Sequence, residues 1–334
     1  PPDRASPDHS THRMETWMPR TDQATRLVHD MRRIAAVAGP SAALRYGAAI
    51  VRHAPTICRT GSLDAADRAM ANRDWTFRPL PGVQVILPGS AFGDAREMYC
   101  RGAYTALPGY APAPGEIVVD LGANQGLFSL LAARVGADVI AVEAQRGFAS
   151  TFVHRASGSG VSNRIQLLHA LVGTATGVLA APRARENASH WDDDWDDDVD
   201  VLTMAEVFEA GGIDQVDLMR IDIAGSEFVL FDEPGWLDAV GRIVMKVHTG
   251  FGDPRTLVDL LIRCGFEATL LDNDLTRSTH LSSAASGYLY ARRRGRTPQA
   301  REAAGHHPDA AQSGSGPIPG PGLVSSETQH DVSA

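Results

Sequence analysis

Cysteine is scarce in this sequence. The 334 residues contain three, Cys58, Cys100 and Cys264, far apart and with no C-x-x-C pair. That spacing suggests neither a disulfide framework nor a cysteine zinc site, and a reducing cytoplasm is the simplest setting. Surplus positive charge is also missing. Lys and Arg number 31 against 40 Asp and Glu, a formal net charge of −9. Neutralising phosphates needs the opposite sign, which argues against a general nucleic-acid binder. No apolar run approaches the ~20 residues that cross a bilayer. The Ala-rich stretch from Ile34 to Val51 is broken by Pro40, Arg45 and two glycines, so no membrane partner is expected. The start, PPDRASPDHSTHR, has no apolar signal core. What is present is ordinary for a globular chain: 43% hydrophobic and 21% charged residues.

Composition divides the chain into four parts. Residues 1–20 are polar, and residues 294–334 are rich in Pro, Gly, Ser and charge; both are expected to be disordered. Residues 21–94 form an extension. Its first part reads as helical, with Leu27, Met31, Ile34 and Val37 at helical spacing. Two short β-type runs then flank Pro81-Gly82, which predicts a hairpin. Residues 95–293 form the main domain. From Glu116 onward, apolar strands alternate with helices: EIVVDL, ADVIAVE, RIQLLHA, VDLMRIDI and RIVMKVH are strands, and FEATLLD and SGYLYARR supply two more. His169, inside RIQLLHA, reads as a packed strand residue. Thr203 and Glu206 predict a capping box, while Asp253, Pro254 and Gly265 bound a later helix. This alternation predicts an α/β fold whose mostly parallel sheet is covered on both faces. Ligands of such sheets bind beyond the strand C-termini, where strand order reverses.

The residues expected at that edge carry the chemistry. Asp120-Leu-Gly122-Ala-Asn124-Gln-Gly126 ends the first strand and opens a helix. Its two glycines allow a tight turn and close approach to a ligand. A dinucleotide fingerprint would need glycine at 124 and 127, where Asn124 and Leu127 stand, and no phosphate P-loop lysine follows. D-x-G-x-N-x-G is instead the form common in S-adenosylmethionine sites, with Asp120 facing the ligand's ammonium directly or through water. Glu143 ends the second strand, where a carboxylate can accept both ribose hydroxyls. Asp222, at the end of VDLMRID, either holds a substrate hydroxyl, positions the cofactor or caps the next helix. His248 ends RIVMKVH, and its imidazole either takes a proton from an acceptor hydroxyl or is satisfied by backbone. WDDDWDDD (191–198) reads as an exposed loop by like-charge repulsion, without the spacing of a metal site.

Several of these segments together resemble the FkbM-type methyltransferase family. GEIVVDLGANQGLFSLLA is similar to its cofactor motif, VDLMRIDIAGSEFVLF to its K-x-D-x-E-G-x-E segment, and RIVMKVHTGFGD to its E-x-H strand. The likeness spans roughly residues 95–292. It implies a Rossmann-like class I methyltransferase fold, with a seven-stranded, mostly parallel sheet and the N-terminal helical and hairpin extension. It also implies S-adenosylmethionine as cofactor and O-methylation of a hydroxyl on a sugar or secondary metabolite, a small molecule or glycan. Carried over are Asp120, Gly122, Gly126, Glu143, Asp222, Gly225, Glu227 and His248. Three positions depart from the pattern: Ala224 and Lys246 stand where the family has acidic residues, and Arg220 where it has lysine. Lost carboxylates point either to a binder without turnover or to a more anionic acceptor.

Overall fold

The structure is a computed structural model that describes residues 20–173, 199–281 and 286–295. The acidic run and nearly all of both terminal segments lie outside the described residues.

Eleven strands are described, and seven of them build the central sheet. β1 (Trp75–Phe77) and β2 (Val85–Leu87) form the predicted hairpin. β3 (Ile117–Leu121), β4 (Asp138–Val142) and β5 (Ile165–Leu168) follow. β6 (Leu171–Val172) pairs with β7 (Val201–Leu202) outside the main sheet. β8 (Val216–Ile221), β9 (Val240–His248), β10 (Phe266–Leu271) and β11 (Ser286–Arg293) complete the set. The sheet order is β10-β11-β9-β8-β3-β4-β5. β5, β4, β3, β8 and β9 run parallel, and β11 lies antiparallel between β9 and β10. The chain proceeds outward from β3 in one direction, then restarts from β8 in the other. A crevice therefore opens between the tips of β3 and β8.

The strands read as continuous apolar runs because both sheet faces are covered. Side chains alternate between them. Val118, Leu218, Val244, Tyr288 and Tyr290 share one core with Phe128, Phe152 and the N-terminal extension. Val119, Leu121, Met219, Ile221, Ile243 and Met245 share the other with Val207, Leu257 and Leu261. The extension is thus a layer of the first core. Tyr46, Trp75 and Phe77 pack their rings around Phe92 at centroid distances of 5.4–5.8 Å. Directly after the short helix Phe92–Ala95 the chain makes one π-helical turn, Arg96–Cys100, closed by the Arg101 amide on the Arg96 carbonyl at 2.9 Å. Such turns widen a helix and re-aim its side chains.

Local signals held where they were strong. Thr203 and Glu206 form the reciprocal capping box, and Asp253 caps the helix Pro254–Arg263. His169 departs from expectation: β5 ends at Leu168, which leaves the imidazole exposed. The three cysteines are unpaired. Among the described residues no helix is long and apolar enough to cross a membrane.

At the opposite edge of the same core, Arg242 bonds Glu116 at 2.5 Å and the Gly109 carbonyl at 2.6 Å, both side chains buried. Removing one member strands a buried charge. Arg242→Ala is expected to cost about 3–5 kcal/mol of stability; an unchanged denaturation midpoint would show the pair to be dispensable.

Candidate active site

The chain leaves β3 through a turn built on alternate left-handed residues. Gly122, Asn124 and Gly126 have φ of 75°, 51° and 81°. Glycine adopts this region freely, and asparagine more readily than most residues. A side chain at 122 would overlap the Asp222 carbonyl, and one at 126 the Phe152 ring. The Asn124 amide donates to Glu143 Oε2, and the Gln145 amide to Glu143 Oε1, both at 2.7 Å. About two of the roughly four acceptor positions on the Glu143 carboxylate stay free. Its burial raises the pKa despite those two bonds.

Sheet register lines up the charged groups beside this turn. Asp120 pairs with Arg220 across β3 and β8, and Lys246 with Tyr288 across β9 and β11. Arg220 and Asp222, like Lys246 and His248, are two residues apart and so share the face beneath the extension. Arg220 is 3% exposed. Its Nη1 donates to Asp120 Oδ1 at 3.0 Å and the Gly122 carbonyl at 2.7 Å; its Nη2 donates to Asp222 Oδ2 at 2.8 Å and Tyr104 Oη at 3.0 Å. Tyr104 Oη donates in turn to Asp222 Oδ2 at 2.6 Å. On the other oxygen, Asp222 Oδ1 faces His248 Nε2 at 3.7 Å. His248 Nδ1 lies 2.9 Å from Glu227 Oε1. The fully buried Glu227 also accepts from the His248 and Gly225 amides at 2.7 Å.

Burial opposes every charge here, and the partners decide the outcome. It would raise the Asp222 pKa, but Arg220, Lys246 and His248 bring it below the usual carboxylate value. It would lower His248, but the Glu227 bond and the Glu227 and Asp222 charges bring it above 6.5. Lys246 is the only lysine in the chain. Its Nζ donates to Glu97 Oε1 at 2.8 Å, and that oxygen also accepts from Tyr288 Oη at 2.6 Å. Against desolvation, Asp222 and Glu97 raise the Lys246 pKa, so the ammonium stays charged.

These groups enclose a cavity of about 390 Å³, within the range of small-molecule sites. Toward β5 its lining is apolar, with Val142, Phe148, Ala170 and Val172. The glycine turn and Glu143 form its middle, and toward β9 it is charged, with Asp94, Glu97, Arg220, Asp222 and Lys246.

Gly122, Asn124, Glu143 and Asp222 reach the cavity wall as expected from sequence. Asp120 does not. It is 0% exposed, with its oxygens engaged by Arg220 and by Ser129 Oγ at 2.6 Å. It lies on the same sheet face as Arg220 but below the strand tip, covered by Arg220 and Ser129, so the expected contact with a ligand ammonium is corrected to a hold on Arg220. Gly126 also lies off the wall, where it gives room to Phe152. His248 lies off the cavity wall, a quarter exposed, with its Nε2 3.7 Å from Asp222 Oδ1. Ala224 lines the cavity at φ 51°, a conformation strained for alanine. Sequence reasoning missed Asp94, Glu97 and Tyr104 as site residues, because nothing local ties the segment ahead of β3 to the strand tips. For Arg220, the i, i+2 spacing from Asp222 was the available signal.

Strand order, switch-point cavity and glycine turn together define a Rossmann-like methyltransferase domain of the S-adenosylmethionine-dependent class. Residues 120–268 match the family described as "Methyltransferase FkbM domain". No curated protein matches the chain in sequence. Similar solved structures include an rRNA methylase from Streptococcus thermophilus (12% identity, TM-score 0.37, covering 59% of this chain and 96% of that one). Another is a SAM-dependent methyltransferase from Agrobacterium tumefaciens (14%, TM-score 0.36, 66% and 70%). A third is an O-methyltransferase from Bacillus cereus in complex with SAH (16%, TM-score 0.33, 53% and 73%).

Because Glu227 holds the His248 proton, Glu227→Gln is expected to lower the imidazole pKa. Titration of the His248 ring by NMR checks this; an unmoved midpoint would mean that the bond does not set the charge.

Proposed function

We propose that the domain binds S-adenosylmethionine across the strand tips and methylates a neutral hydroxyl of a sugar or secondary metabolite. The observation that carries this reading is a single cavity with two unlike halves: Glu143 and an apolar lining on one side, Asp222 and Lys246 on the other.

The first half fits the cofactor. Glu143 keeps acceptor positions for two ribose hydroxyls, and Phe148, Ala170 and Val172 offer a slot for a purine. Gly122 and Asn124 let the backbone come close. When bound, the cofactor supplies an electrophilic methyl group on a sulfonium.

The second half orients the acceptor. Asp222 takes the hydroxyl's hydrogen bond, and alignment of this kind contributes ~7–11 kcal/mol in well-oriented reactions. Held below its ordinary pKa, Asp222 is a weak base, so the proton passes onward to His248. Lys246 stays charged and can donate to the oxygen as negative charge develops. Its ammonium is already matched by Glu97, and Arg220 is matched by Asp120 and Asp222. That balance favours a neutral acceptor over a carboxylate or phosphate. Glu97 also places a carboxylate beside position 246, which weakens the argument for a binder without turnover.

Labelled S-adenosylmethionine with neutral glycosides, uronic acids and sugar phosphates tests the reading. Methylated neutral glycosides are expected; no product from any acceptor would favour the binder. Glu143→Ala is expected to abolish cofactor binding by calorimetry, and unchanged affinity would refute its ribose role. Asp222→Asn should lower kcat by about 10²–10⁴-fold with little change in cofactor Kd. His248 must be neutral to receive the proton, so kcat should rise with pH through an apparent pKa above 6.5.

A further inference from the structure

We propose that Asp94, carried by the N-terminal extension, binds the α-ammonium at the methionyl end of the cofactor. This rests on the cofactor reading above.

Asp120, the carboxylate expected for that ammonium, is sealed away. Four carboxylates line the cavity: Asp94, Glu97, Glu143 and Asp222. Three are committed. Glu97 holds Lys246 and Tyr288, Glu143 holds two backbone amides, and Asp222 holds Arg220 and Tyr104. Asp94 alone has no hydrogen bond or ion pair among the described residues, yet its side chain opens onto the cavity. Desolvation and the nearby Glu97 charge raise its pKa against the pull of Lys246 and Arg155, neither of which bonds it. The residue is solvent-exposed and so open to a cationic group entering the cavity.

Position agrees. Tyr99 Oη donates to the Leu127 carbonyl at 2.6 Å and pins the extension onto the helix that follows the glycine turn. Arg155, within electrostatic reach of Asp94, donates to the Gln125 carbonyl at 3.3 Å. Asp94 thus lines the same cavity as the glycine turn and Glu143, on a segment pinned beside that turn. In an adenosyl sulfonium the base and the amino-acid end leave the ribose in opposite directions. With the purine in the slot and the ribose on Glu143, the methionyl end runs toward the charged part of the cavity, where Asp94 is the carboxylate without a bonded partner among the described residues.

Calorimetry on the full chain separates the groups involved. S-adenosylmethionine and S-adenosylhomocysteine both carry the α-ammonium, but only the first carries the sulfonium; 5′-methylthioadenosine carries neither. Asp94→Asn is expected to weaken the first two equally, by about 10–100-fold, the usual range for a charged hydrogen bond, and to leave methylthioadenosine unchanged. Unchanged affinity for all three, equal loss of all three, or loss confined to the sulfonium would each overturn the proposal. Asp94→Ala is the second variant, and the ratio of adenosylhomocysteine to methylthioadenosine affinity is read in whichever variant folds. If the wild-type chain binds none of the three, the cofactor reading fails and this proposal falls with it. If the wild type binds all three and only the variant ratio stays flat, Asp94 alone is at fault.

Discussion

One buried guanidinium holds the site together. Arg220 lies between two carboxylates at adjacent strand tips, Asp120 and Asp222, and it also carries the Gly122 carbonyl and the Tyr104 hydroxyl. None of these charges could be buried alone, since an ion taken from water costs several kcal/mol even after relaxation. Together they fix the β3 tip, the β8 tip and the segment before β3 in one geometry. The planar fork of arginine suits four acceptors spread in this way, whereas the lysine usual in the family would offer one compact charge. The fit is incomplete, because Nε of Arg220 is buried without a partner. The whole network hangs on the two terminal nitrogens.

The same electrostatic demand explains why the extension belongs to the site. Lys246 rises from β9 into a half-buried position, and nothing else on the sheet neutralises it except Asp222, which Arg220 already holds. Glu97 supplies the missing charge from the π-helical turn, with Tyr288 on the same oxygen. An ordinary helical turn would distribute Glu97, Met98 and Tyr99 differently. The wider turn sends Glu97 and Met98 to the cavity, buries Tyr99 against Leu127, and lets Arg96 bond Asp67 inside the extension at 2.9–3.0 Å. Docking by shared apolar core and closure by charge thus occur within five residues.

This division separates what the sequence could reveal from what it could not. Strands, caps and the glycine turn depend on neighbours in the chain, and Thr203, Asp253, Gly122 and Glu143 sit where local reasoning places them. Local reasoning fails for Asp120 because the groups that cover it, Arg220 and Ser129, come from a neighbouring strand and from the following helix. Asp94, Glu97 and Tyr104 approach from a stretch distant in the chain from the strand tips they meet, and no periodicity in their own segment reports that meeting.

Two departures from the family pattern, Ala224 and Lys246, act on the same group in the same sense. An acidic residue at 224 would place a like charge beside Asp222 and push its pKa up. Alanine there removes that push, and the left-handed φ costs about 1–2 kcal/mol for any residue with a Cβ, acidic or not. Lysine at 246 adds an opposite charge and pulls the pKa down. Both changes make Asp222 a better fixed anion and a poorer proton acceptor, and a site altered in this way cannot leave the proton on Asp222. In the proposed mechanism a stronger base must stand near that carboxylate, and His248, raised by Glu227 and with its Nε2 3.7 Å from Asp222 Oδ1, is the group so placed. The substitutions that first suggest a failed catalytic site are therefore coherent with one in which positioning and proton acceptance are divided between two residues.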